Sequence, residues 1–164
     1  MCGTGERYVD ATERFGALAV LGFVPDPQPN PRDPKCSTRQ PWTLLFYNNR
    51  DHSSPVATHI GFHSNDSSRE FQTCQQLAVI ISPTGDLTGP PRESSLLCKF
   101  RLSSNQWCIG SDGQYMELEL PDPLLLQVGA SGIIGRRISL FGDSAKPMGP
   151  PLLLAEGIVG FNHL

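Results

Sequence analysis

Two pairs of titratable side chains in this sequence stand at spacings that invite chemistry. His59 and His63 are four residues apart, and Glu117 and Glu119 are two apart. On a helix the histidine spacing would put both rings on one face and build half of a metal site. Their neighbours Thr58, Ile60 and Gly61 favour a strand instead, along which four residues span roughly 13 Å, too far for one ion to take both rings. No metal ligation is therefore expected, and either histidine alone is left to serve as an acid, a base or a ligand contact. On a strand the two glutamates share a face with Cα atoms roughly 6.5 Å apart, a separation that paired-carboxylate hydrolysis can use. Solvent-facing strands show the same pattern without any chemistry. Ion pairing across a sheet to Lys99 and Arg101 is the expected use of that face.

A second constellation lies near the C-terminus. Gly142-Asp143-Ser144 is followed by Pro147 and then by Gly157-Ile158-Val159-Gly160. This run resembles the C-terminal barrel of chymotrypsin-like serine proteases, in which a GDSxxP segment precedes a GIV-type strand. The resemblance implies Ser144 as nucleophile, His59 as base and Asp86 to orient it, in the chain order that family uses. The amides of Gly142 and Ser144 would form the oxyanion hole. The likeness covers about twenty residues, and it departs from the family where Ala145 and Lys146 replace two glycines after the serine. The glycine-rich stretch 129–135 fits neither a dinucleotide fingerprint nor a phosphate loop, and no nucleotide or other cofactor is implied.

Whatever these residues do, β-strands must position them. The chain has 164 residues, enough for one domain with a self-supporting core. With 16 glycines and 15 prolines the backbone must turn often, which favours many short strands over helices. Alternation of apolar and polar residues marks strands at 42–47, 56–63, 96–102 and 115–120, and LAVIIS at 77–82 reads as a strand buried on both faces. Turn-forming residues at 103–105 and 110–113 predict that the strands within 96–120 form a three-strand antiparallel meander. Pro121-Asp122-Pro123 is expected to end its last strand. Further strands are expected at 17–24, 124–128, 133–141 and 152–161, and a short helix at 4–14, where Tyr8, Ala11, Phe15 and Leu18 recur at helical spacing. Residues 25–41 hold Pro25, Pro27, Pro29, Pro31, Pro34 and Pro41 and should run extended, as a stiff connector or as a ligand for an SH3-like or WW-like module. The sum is an all-β domain of roughly 8–10 short strands in an antiparallel barrel or sandwich, with one short N-terminal helix.

Composition narrows the function. Thirteen basic against 16 acidic residues give a net charge of −3, without the basic patch that nucleic-acid binding needs. The longest apolar run, 15–24, is half of what a bilayer span requires, and its acidic lead-in is unlike a signal peptide. The expected protein is thus soluble, binding neither nucleic acid nor membrane. The leading reading is a β-barrel or β-sandwich binding protein for an apolar small molecule or a protein partner, with Trp107, His63, Tyr115 and Glu117 lining the site. An isomerase or cyclase of hydrophobic metabolites, working with one acid or base, and the serine hydrolase described above are enzyme alternatives on the same scaffold. A secreted, disulfide-held interaction protein, with Asn65-Asp66-Ser67 as a glycosylation acceptor, is another.

The five cysteines form no CxxC pair, and their odd number leaves at least one thiol in any monomer. Reduced thiols buried as small hydrophobes suit a cytoplasmic chain, which is slightly favoured here, whereas two disulfides suit a secreted one. Thiol titration of the unfolded, unreduced chain distinguishes them. Five reactive thiols are expected, and a single one would establish the disulfide-held alternative.

Overall fold

The computed structural model describes residues 16–24, 41–63, 76–91, 96–103, 108–109, 115–142 and 151–162. The helix expected at 4–14, nearly all of the proline-rich stretch, Trp107 and Ser144 lie outside them. The described residues form nine strands and no helix: β1 (Gly16–Phe23), β2 (Trp42–Tyr47), β3 (Val56–His63), β4 (Gln76–Ile81), β5 (Cys98–Ser103), β6 (Cys108–Ile109), β7 (Tyr115–Leu125), β8 (Arg137–Gly142) and β9 (Leu152–Asn162). They join in one antiparallel sheet, in the order β5-β4-β8-β9-β1-β2-β3-β7-β6, that curls into a nearly closed barrel.

Alternation along each strand sets which side chains enter the barrel. Register places Leu44 beside Phe62 and Phe46 beside Ile60 across β2 and β3, while Val79 stands between Phe100 and Leu140 across β5, β4 and β8. These inward residues form a single core, in which Leu44, Phe46, Ile60, Val79 and Leu140 have no exposed surface. β4 is buried on both faces along most of its length, as its apolar run implied.

Among the described residues, the three-strand meander expected over 96–120 does not form. β6 and β7 do pair, Cys108 with Glu117 and Ile109 with Met116, but β5 pairs with β4 at the far end of the sheet. The apolar face of β5 is the reason. Phe100 and Leu102 find burial beside Val79 and Leu77. Lys99 and Arg101 therefore stand seven strands from Glu117 and Glu119 in sheet order and are not paired with them in the ladder.

A second difference concerns the prolines of β7. The strand continues through Pro121 and Pro123 to Leu125 rather than stopping. Its register against β3 shifts between His59↔Glu119 and Ala57↔Leu124, so Thr58 alone lies opposite residues 120–123. An irregularity of this kind needs few ladder donors, which is where proline is tolerated in a sheet. Farther on, residues 133–136 form the approach to β8, which begins at Arg137.

The strand that turns the sheet into a barrel is β9. Its first part pairs with β8 and its last part with β1, and the two runs overlap at Ala155 and Glu156. Gly157 sits at the crossing, where a Cβ would stand 2.2 Å from the carbonyl oxygen of Val20 and 3.1 Å from the Leu21 side chain. No side chain fits there without separating β1 from β9. Gly157→Ala should cost on the order of 2–3 kcal/mol by overpacking. Gly160→Ala, whose Cβ would meet the Leu18 carbonyl oxygen at an ordinary 3.9 Å, should be close to neutral. Urea denaturation of both variants checks the contrast, and equal costs would mean that the crossing tolerates a side chain.

Candidate functional site: an outer cleft held by Arg137

The second of two adjacent arginines opens β8, and its side chain leaves the barrel on the outer face. Arg137 is nonetheless only 4% exposed. A buried guanidinium needs both a counter-charge and acceptors for its five N–H donors. Glu156 on β9 supplies the charge, taking Nε at 3.1 Å and Nη2 on one carboxylate oxygen. The loop that leaves β4 supplies the other acceptors, since Nη1 donates to the carbonyl of Asp86 at 3.0 Å and to that of Gly89 at 2.5 Å. Backbone bonds flank the side chain. Ser82 donates to the Arg137 carbonyl, and the Arg137 amide donates to Thr84, each at 2.9 Å.

The loop has its own internal order. One carboxylate oxygen of Asp86 accepts the amide of Thr88 at 2.8 Å and its hydroxyl at 2.6 Å, closing an Asx turn. Gly85 runs so close to Gly135 that a Cβ would lie 2.4 Å from the Gly135 carbonyl oxygen. Between loop and strand remains a cleft of about 460 Å³, with Pro83, Pro90 and Pro91 as apolar wall, Thr84, Thr88 and Asp86 as polar rim and Arg137 at the base.

Apolar surface adjoins the cleft. The β1–β9 register sets Val20 beside Ile158, and these two residues are 52% and 37% exposed. The Ile158 side chain reaches within 3.5 Å of where a Cβ on Gly85 would be, so the strip runs up to the loop, on which Leu87 is also exposed. Deeper on the same face, Ser139 pairs in register with Glu156 and is fully buried, its hydroxyl without a hydrogen-bond partner among the described residues.

The residues singled out from sequence fall into separate places. His59 and His63 on β3 stand in register with Glu119 and Tyr115 of β7, and Glu117 lies opposite Gly61 between them. The face of β3 and β7 thus gathers the register positions of His63, Tyr115 and Glu117, but Trp107 lies outside the described residues. His59 shares a 2.8 Å hydrogen bond with Thr58 through Nδ1 and stacks on Tyr47 with ring centroids 5.8 Å apart. His59 and Asp86 sit on separate elements: Nδ1 of His59 shares its hydrogen bond with Thr58, while the Asp86 carboxylate accepts from Thr88 in the loop that leaves β4. Ser144 lies outside the described residues. Among those residues no cluster of His, Cys, Asp and Glu could hold a metal ion. Cys98 is a free thiol, and burial, followed by the negative charge of Asp122, pushes its pKa up and away from the reactive thiolate.

Sequence reasoning missed Arg137 and Glu156 as partners, and with them the cleft. The available signal was one arginine inside an otherwise apolar strand, RISLFG, whose charge had to be matched somewhere in the fold. The chain matches no protein-family model, no curated protein and no solved structure.

Removing one partner of the buried pair strands the other. Arg137→Ala should destabilise the fold by about 3–5 kcal/mol, whereas Arg137→Met with Glu156→Leu should recover most of that loss. The double variant should still leave the loop at 82–91 open to proteolysis, because the Asp86 and Gly89 carbonyls lose their donor. Ser139→Ala, which deletes only an unsatisfied hydroxyl, should be neutral or stabilising by about 1 kcal/mol. Chemical denaturation with limited proteolysis reads all three, and a protected loop in the double variant would show that Arg137 is not its anchor.

Proposed function

We propose that this chain is a non-catalytic binding protein whose partner is another protein, engaged on the outer face around the loop at 82–91. The observation that carries this reading is the exposed pair Val20 and Ile158, which runs up to the loop that bears exposed Leu87 and lines a cleft shaped by a buried arginine. Exposed apolar side chains rimmed by hydrogen-bonding groups are the composition of a protein contact surface. A pre-ordered loop adds to this, because little conformational entropy is lost when it docks. The apolar small-molecule reading would place its ligand within the barrel, and that space is taken by Leu44, Phe46, Ile60 and their neighbours. A packed interior favours the outside of the sheet as the working surface.

A photo-crosslinking amino acid placed at Leu87, at Val20 and at the remote exposed Val128 tests the proposal in the native cell. The same protein should be captured from Leu87 and Val20 and not from Val128. A small molecule retained by the purified chain in native mass spectrometry, with no common protein captured at the two positions, would overturn it.

A further inference from the structure

The cleft at 82–91 carries more hydrogen-bonding capacity than the chain itself uses. Ser82, the residue after β4, lines the cleft and is only 8% exposed. Its hydroxyl makes no hydrogen bond among the described residues. Unlike the hydroxyl of Ser139, it is not sealed from solvent, so it opens on the cleft. Arg137 forms the base beside it, since the Ser82 amide donates to the Arg137 carbonyl at 2.9 Å. Among the described residues, Glu156 and the Asp86 and Gly89 carbonyls engage four of the five guanidinium N–H groups, which leaves one hydrogen on Nη2. A donor and a hydroxyl thus line one cleft, between walls made of Pro83, Pro90 and Pro91.

We infer that the cleft receives a tyrosine side chain of the protein partner, its ring between the prolines and its hydroxyl at the base. This occupant deepens the partner reading above and rests on it. Size fits, because about 460 Å³ lies in the range of pockets that enclose a whole side chain or a small ligand. Proline rings and aromatic rings are mutual packing surfaces, the contact on which proline-rich recognition rests. At the base the phenol oxygen accepts from Nη2 of Arg137, and its hydrogen goes to the Ser82 hydroxyl. A phenylalanine would fill the same walls and leave both base groups unpaired, which is how a polar site rejects the analogue lacking a hydroxyl. A charged head fits worse with either sign. A carboxylate would stand near Glu156, which already balances the guanidinium, and an ammonium would face the guanidinium itself. Tyrosine is also among the residues that most often anchor a protein interface, since it joins a rigid apolar body to one polar tip.

Amide NMR of the whole chain, titrated with N-acetyltyrosinamide, tests this. Saturable shifts at the amides of residues 82–91 are expected, with a Kd on the order of 1 mM for a probe of this size. N-acetylphenylalaninamide should bind about tenfold more weakly. Ser82→Ala should keep the parent's Tm, because the hydroxyl has no bond within the fold to lose, and should bring the two probes within about threefold of each other. Failure of the tyrosine probe to bind, equal binding of the two probes by the parent chain, or a preference unchanged in Ser82→Ala would each overturn the inference. Capture of one common protein at Leu87 and Val20 alongside any of these results leaves the partner reading standing. Saturable tyrosine binding without such capture removes the partner instead and leaves a site for a small phenol.

Discussion

One buried guanidinium joins three parts of this fold. Arg137 belongs to β8, its counter-charge comes from β9, and its remaining acceptors are carbonyls of the loop that leaves β4. Left alone, a charge at that depth would cost several kcal/mol. The cost is offset only when carboxylate and carbonyls converge on it together. The pair is therefore a condition on geometry as much as a source of stability. β8 and β9 must hold the register Arg137↔Ile158 and Ser139↔Glu156, and residues 82–91 must fold back over the sheet. The tight passage of Gly85 against Gly135 and the Asx turn at Asp86 are how the loop meets that demand.

The same stretch of chain sets the shape of the barrel. β9 lies between β8 and β1, so Glu156 sits next to the point where Gly157 lets the two backbones cross. Closing the sheet fills its interior with aliphatic and aromatic side chains and leaves the buried ion pair to the outer face. Polar and apolar groups are sorted there differently from the core. The prolines stand around a charge already neutralised by Glu156, so the cleft does not present a bare cation to solvent.

Much of this was legible in sequence, for a local reason. Period-two alternation at 42–47 and 56–63 predicts β2 and β3 to the residue, because one face of each must be apolar for the strand to bury at all. Pairing was less legible. Turn residues between β5 and β6 suggest a hairpin, yet burial of Phe100 and Leu102 beside β4 outweighs proximity in the chain. Pro121 and Pro123 read as a stop because local rules carry no information about a partner strand irregular enough to need no donors. The cleft was least legible. Arg137 and Glu156 are 19 positions apart, and the carbonyls that complete the site lie 48 and 51 positions from Arg137. No window short enough to show periodicity contains them.

What does tie them in sequence is a contradiction between levels. RISLFG is apolar enough to be an interior strand, and a charge at its first position conflicts with that reading unless the fold supplies a partner. Hydrophobic replacement of such a pair is commonly neutral or stabilising, so stability alone gives little reason to keep it. What the arginine does that a leucine could not is donate at once to a carboxylate on one strand and to two carbonyls of a loop. The charged pair fixes where residues 82–91 lie, and the position of that loop is what makes a cleft of otherwise ordinary prolines and threonines.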